Sequence, residues 1–332
     1  MTEDVLAEFE PPDDPSLDEV AAALIALDPT GARWAAVVRH TYDMLYNGAE
    51  TGRYLWKDLA KTEKTHFGTL FEINAQREFE FADGSGDPDD PLHKGLDYSI
   101  AGHDVDAKWS QDDGRWMLPP EVFGKLALVA TGSDPKSEFS VGLIRVRPEY
   151  LTTGSEGNRD KKSWLSPFGR QQVRWLWRHA PMPVNVLLQL PSATIENIVD
   201  SKSGSVRVAR LFRATEGRLV HRSAVATVAR QLDHQKRARG NGGARDILRP
   251  DGYLIMSGVY HAPVAAALGI PVPSRAEYIA ARVVPSLHQE GALLEGRWWR
   301  LAHDGDTVTD LAPLLPDEKK RQKRRSEAKE KS

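Results

Sequence analysis

At about residue 97 the apolar residues of this 332-residue chain change their period, and that change decides the fold class. Upstream the spacing is helical: Val20, Leu24 and Leu27, then Trp34, Val37, Val38, Tyr42 and Leu45. Asp28-Pro29-Thr30-Gly31 splits this run into two helices, and a third helical stretch covers 57–81. Downstream, Asp97-Tyr98-Ser99-Ile100 and Val105-Asp106-Ala107-Lys108-Trp109-Ser110 alternate polar and apolar residues, as half-buried strands do. Segments 126–130 and 141–146 predict two more strands, and 171–177 a short helix. Helices and strands thus share one domain, and the expected fold class is α/β.

The segment 97–110 is also where the chemistry gathers. With Gly102-His103 as a two-residue turn, Ile100 faces Val105, Ser99 faces Asp106 and Asp97 faces Lys108. Alternation then puts Asp97, Ser99, Asp106 and Lys108 on one face. Tyr98, Ile100, Val105, Ala107 and Trp109 form the other, which is apolar enough to pack on a helix. Two carboxylates and an ammonium come within roughly 5–8 Å of each other. Such a set suits phosphodiester hydrolysis. Hard Mg²⁺ takes carboxylate oxygens and keeps several waters, one of which can attack phosphorus. A lysine beside that water stabilises hydroxide and the charge developing on the phosphate. Glu72, on the helix that reaches the hairpin through the turn-rich loop 83–95, is the candidate third carboxylate. Gly68, one turn earlier, leaves room for a close neighbour. Asp106-x-Lys108 alone is commonly a solvated salt-bridge face; Asp97, Glu72 and a basic region downstream give it the nuclease reading.

The net charge of −3 conceals that basic region, because residues 201–250 hold twelve Lys/Arg against three Asp/Glu. Helices near 206–215 and 224–230, a short helix at 246–248, and Arg249-Pro250-Asp251-Gly252 turning into a strand at 253–257 follow the winged-helix order. Lys236, Arg237, Arg239, Arg245 and Arg249 lie among glycines, so backbone can approach DNA while the cations reach phosphates or guanine edges. The competing reading pairs several of these arginines with Asp233 and Asp246. His179-Ala180-Pro181-Met182-Pro183 predicts a linker, since two prolines in three residues stop helix and sheet. The expected organisation is a flexible acidic start at 1–16, a nuclease domain at 17–177 and a linker at 178–184. A winged-helix DNA-binding domain at 185–316 and a disordered charged tail at 317–332 follow.

Several classes are excluded. Cysteine is absent, which removes disulfides, thiolate metal sites and a cysteine nucleophile, and suits a cytoplasmic chain. No window approaches eighteen apolar residues, so no membrane helix is expected. The first 28 residues carry nine Asp/Glu and no Lys/Arg, unlike a signal peptide. The ten histidines show no HExxH spacing. Gly240-Asn241-Gly242-Gly243 lacks the Gly-Lys-Ser/Thr that completes an NTPase loop, so no nucleotide cofactor is expected. Leu45-Tyr46-Asn47-Gly48 echoes the Lys-x-Asp-Gly motif of nucleotidyl ligases, with Leu45 where the nucleophile would be.

Laid out in order, these residues resemble the NaeI-type restriction endonucleases. The matching stretches are 51–53 (TGR), 61–74 (KTEKTHFGTLFEIN), 97–102 (DYSIAG), 105–108 (VDAK), 116–121 (WMLPPE), 158–160 (NRD) and 242–250 (GGARDILRP). The resemblance implies a PD-(D/E)xK nuclease core followed by a winged-helix domain of the catabolite-activator type. It further implies a homodimer acting on double-stranded GCCGGC, with a second DNA copy as allosteric effector. Its catalytic positions fall on Glu72, Asp97, Asp106 and Lys108, with the three carboxylates on Mg²⁺. Leu96 stands where the family motif has proline, and the acidic loop 85–95 is expanded. Two other readings stay open: a repair enzyme that nicks one strand, and a non-catalytic DNA-binding regulator.

Overall fold

The computed structural model describes residues 13–85, 95–152, 161–231 and 233–318. The predictions for 1–12, for 86–94, for 153–160 (the NRD stretch included) and for 319–332 fall outside the described residues. The chain forms two compact units: Met1–Tyr42 with Lys61–Pro183, and Asp43–Ala60 with Val184–Ser332. Among the described residues no helix is long and apolar enough to cross a membrane.

Among the described residues four α-helices precede the first sheet: α1 (Pro15–Leu27), α2 (Ala32–Tyr46), α3 (Gly48–Thr51), which belongs to the second unit, and α4 (Lys61–Phe79). Asp14 starts α1 by accepting from Leu17 N at 3.1 Å, and pairs with Arg145 at 2.7 Å. Of the start expected to be flexible over 1–16, the described residues 13–16 instead lead directly into α1, because the Asp14 carboxylate has both a cap and a cation to hold. The break between α1 and α2 is chemically specified. Asp28 accepts from Arg33 N (2.8 Å) and Trp34 N (3.0 Å), capping α2. Gly31 adopts φ +75° where a Cβ would lie 2.6 Å from the Trp177 ring, so only glycine fits.

The sheet of this unit runs β1 (Tyr98–Ile100), β2 (His103–Ser110), β3 (Leu126–Ser133), β4 (Glu138–Arg145), then, after the short helix α5 (Pro167–Gln171), β5 (Arg174–Pro181). Spatial order follows sequence; β2 and β3 are parallel and the other pairs antiparallel. Both faces of β3 are buried, which explains its unbroken apolar run. One face packs on helices: Trp109 stacks on Phe67 of α4 at 4.3 Å, and Trp34 lies 4.4 Å from Phe79. Trp116, Leu118, Val122, Ala127, Val129 and Ile144 belong to a second cluster.

Three expectations are corrected here. The predicted helix at 171–177 is the end of α5 followed by a strand. A register shift against β4 pairs Trp177 with Val141 and Trp175 with the adjacent Gly142, so the two rings part, Trp175 meeting Trp116 (6.0 Å) and Trp177 meeting Trp34 (6.3 Å). The predicted linker at 178–184 is largely that strand, and Pro181 is tolerated because β5 is an edge. The hairpin turn is Ala101-Gly102, not Gly102-His103: both adopt positive φ (51° and 81°), as the tightest hairpin turns require. Pairing is therefore Tyr98↔Val105 and Ile100↔His103, two residues off the predicted register. An even shift keeps every side chain on its predicted face and brings Asp97 level with Asp106 rather than Lys108.

The second unit contains α6 (Ser192–Val199), α7 (Gly204–Ala214), β6 (Leu219–His221), α8 (Arg222–Ala229), α9 (His234–Arg237), α10 (Ala244–Leu248), β7 (Tyr253–Ser257), α11 (Ala262–Ala267), β8 (Glu277–Pro285), β9 (Ala292–Leu294) and β10 (Arg297–Leu301). Its sheet has the order β6-β8-β10-β9, with β7 also paired to β8. Alternate residues of β7 and β8 feed two cores. Tyr253, Ile255, Tyr278 and Ala280 pack with α7, α8 and α10; Leu254, Met256, Ile279 and Ala281 pack with Ala265, Trp299, Ala312 and Leu315. Segment 43–60, expected in the first domain, belongs here. Asp43 lies 3.5 Å from His221, Asn185 donates to Tyr54 O at 3.3 Å, and a Cβ on Gly48 would collide with Thr227.

Candidate active site

Three elements of the first unit bring the predicted residues together. Glu72 sits mid-way along α4, whose buried stripe Phe67, Phe71, Asn74, Ala75 and Phe79 fixes the helix face turned to the sheet. Gly68 was expected to allow a close neighbour, but the nearest atom to a Cβ there is Trp109 Cβ at 3.8 Å, ordinary contact. Asp97 immediately precedes β1, and its Oδ2 accepts from Ala107 N at 2.7 Å. Asp106 and Lys108 are two apart on β2 and form an ion pair; Lys108 Nζ also donates to Ala107 O at 3.2 Å. Asp106 is 5% exposed, and apart from the Lys108 contact its buried Oδ2 has no hydrogen-bond partner.

The electrostatics mark a site short of positive charge. Burial first, then Asp97 and Glu121, push the Asp106 carboxyl up to about 6 against the pull of Lys108. Burial and the Asp97 and Asp106 charges likewise raise Glu72, again opposed by Lys108. Tyr98 is raised far above its ordinary range by burial and the same three carboxylates, so its hydroxyl stays protonated. Among the described residues no group of three or more acidic or imidazole side chains is placed to hold a metal ion, so the three carboxylates expected on Mg²⁺ are not gathered as one set. The donor chemistry fits a hydrated hard cation held by one or two carboxylates, the way Mg²⁺ is usually bound.

The field has a consequence for the metal-free protein. The folded-state value of Asp106, about 6, lies above its ordinary 3.8. The folded chain therefore holds this proton more tightly than the unfolded chain. The resulting stability is complete below about pH 4 and is lost as pH rises through 6. Asp106→Asn should raise the melting midpoint of metal-free protein at pH 7.5, by an amount worth of order 2–3 kcal/mol, with no gain at pH 4. Thermal unfolding in EDTA at the two pH values checks this; an Asn variant less stable at pH 7.5 contradicts it.

In the second unit, Lys236, Arg237, Arg239 and Arg249 line an open cavity of about 610 Å³ with Gly240, Asn241, Gly242, Gly243, Asp246, Leu314 and Glu318. Arg237 pairs with Asp233 at 3.1 Å, Lys236 approaches it at 3.8 Å, and Arg249 donates to Ala312 O at 2.6 Å. Asp246 does not take an arginine of this cluster; it accepts from Gly242 N at 2.6 Å. Arg245, predicted to face DNA, is corrected: it is 6% exposed, donates to Ile255 O at 2.9 Å, and meets Asp317 and Glu318 at 3.4 and 3.5 Å. Arg207 is likewise interior, donating to Ser201 O (2.6 Å) and to Val228 O (2.5 Å) and Ala229 O at the end of α8. Two of the twelve cations of 201–250, Arg207 and Arg245, are thus buried inside the unit.

Sequence reasoning missed five participants. Tyr98 donates its hydroxyl to Glu72 O at 2.8 Å, and Glu121 adds its charge at Asp106. His261, fully buried, contacts Asp317 at 2.8 Å. Asp317 and Glu318 were expected in a disordered tail; they have the buried Arg245 to neutralise. Only the alternation that buries Tyr98 was legible; nothing local announces the other contacts.

With this geometry in place, comparison with known proteins is informative. The family model described as restriction endonuclease NaeI matches residues 18–310. The type II restriction enzyme NaeI of Lentzea aerocolonigenes is 45% identical over 327 residues, covering 95% of this chain and 98% of that protein. A match of this extent takes in both units and every residue of the candidate site. The chain belongs to the NaeI restriction endonuclease family and is a type II, site-specific deoxyribonuclease.

Proposed function

We propose that the chain hydrolyses double-stranded DNA with Mg²⁺ at GCCGGC-like sites, using Glu72, Asp97, Asp106 and Lys108. The observation that carries the site assignment is the ion pair of the buried Asp106 with the half-buried Lys108, with Asp97 and Glu72 in the same carboxylate field. Asp97 and Asp106 hold the cation, and Glu72 joins directly or through water. When bound, Mg²⁺ supplies Lewis acidity and makes a bound water more acidic. Lys108 positions the attacking water and balances the charge gathering on the phosphate. Ala107 N–H, by fixing Asp97, keeps the two aspartates in step.

The same reading assigns nuclease chemistry to a PD-(D/E)xK core in the first unit and a winged-helix DNA contact to the second. There Lys236, Arg237, Arg239 and Arg249 face an effector copy of the site. A cytoplasmic homodimer completes it, as the family resemblance implies. The test is incubation of unmethylated plasmid carrying GCCGGC with purified protein in Mg²⁺ or EDTA. Discrete fragments in Mg²⁺ alone are expected. Nicked circles without linear product favour the single-strand repair enzyme. Intact plasmid with DNA binding retained favours the regulator.

A further inference from the structure

We infer that Tyr98 is a positioning residue for DNA cleavage, its hydroxyl setting Glu72 against Asp97. The inference rests on the reading of Glu72 and Asp97 as catalytic groups. Tyr98 follows Asp97 in the chain, so the same backbone that carries one carboxylate carries this ring. The ring is fully buried, 5.1 Å from Phe81, and its rotamer is therefore fixed by packing. From that fixed point the hydroxyl donates to the main-chain carbonyl of Glu72 at 2.8 Å. That carbonyl lies mid-helix and already belongs to the backbone ladder of α4, so helix formation does not require the extra bond. What the bond adds is a tie between elements: it fixes the height of α4 along β1 at the residue that carries the carboxylate.

The tie closes a ring. Tyr98 links β1 to α4 at Glu72, and Asp97 Oδ2 links the start of β1 to β2 at Ala107 N, between Asp106 and Lys108. All four functional side chains are thereby referenced to one another through two hydrogen bonds made by adjacent residues. Catalytic groups lose large factors in rate when displaced by about 1 Å, and removing the hydroxyl frees α4 to slide on the apolar ring by such amounts.

The test is a double-mutant cycle of Tyr98→Phe and Glu72→Gln, read as single-turnover cleavage rates in Mg²⁺ with enzyme in excess. Phenylalanine keeps the ring and its packing. Tyr98→Phe should lower the rate constant about tenfold, with DNA affinity in EDTA unchanged and the melting midpoint within a few degrees. In the Glu72→Gln background the same substitution should cost less than about threefold, since the group it positions has been altered. An equal fold-loss in both backgrounds, or none in the native chain, overturns the inference. If Glu72→Gln itself cleaves at the native rate, the assignment of Glu72 fails and the inference fails with it. If Glu72→Gln is slow but the two losses multiply, only the role of Tyr98 fails.

Discussion

Replacing Lys108 by alanine is expected to slow DNA cleavage at least about a hundredfold, a loss of about 3 kcal/mol or more of transition-state stabilisation. Two effects of the missing ammonium point the same way. The charge that balances the phosphate as the water attacks is lost. Asp106 also loses the cation that opposes its burial and the charges of Asp97 and Glu121, so its carboxyl rises further and is less available as a ligand. DNA affinity in EDTA should stay within about twofold, because binding draws mainly on phosphate contacts elsewhere. Single-turnover cleavage beside a filter-binding titration separates the two. A variant within tenfold of the native rate would remove Lys108 from the machinery.

Arg245→Met is expected to lower the stability of the second unit by about 3–5 kcal/mol, since it leaves buried carboxylates without their cation. At the 7% and 13% side-chain exposure of Arg245 and Asp317, water cannot replace the lost partner. Ile255 O loses its donor as well, and His261 shares the same network through Asp317. The unfolding midpoint should drop on the order of 10 °C. At a temperature where the variant is folded, the dependence of DNA affinity on salt should be unchanged. Arg239→Ala, by contrast, should leave the midpoint nearly unmoved and lower the salt slope by about one. A normal midpoint with a reduced slope for Arg245→Met would return that residue to the DNA surface.

These two residues show how far a sequence reads. Lys108 was legible because a strand has a period of two: Asp106 and Lys108 must share a face, and a register error of two residues cannot move them off it. The helix of Glu72 and the hairpin of Asp97 were legible for the same kind of reason, from apolar spacing and turn residues. Arg245 was not. Among glycines and basic neighbours it has the local signature of a DNA contact, and its actual partners lie up to 73 residues away along the chain. Helix 171–177 failed because a register shift against β4 sends Trp175 and Trp177 to different partners, Trp116 and Trp34, and no period within the segment shows that shift.

By itself, then, the sequence determined much of what repeats over a few residues: most helices and strands, 171–177 excepted, which face the side chains of the 97–110 hairpin take, and that Asp97, Asp106 and Lys108 stand together. Tertiary structure alone decided which polar groups meet: the Tyr98 hydroxyl on Glu72 O, the Asp97 carboxylate on Ala107 N, and Asp317 on Arg245. The division has a physical cause. Backbone geometry fixes side-chain direction locally, with a period that any window of the chain displays. Burial and ion pairing depend on what packs from elsewhere, and the same arginine is a DNA contact or an interior strut according to whether a carboxylate arrives from the far end of the chain.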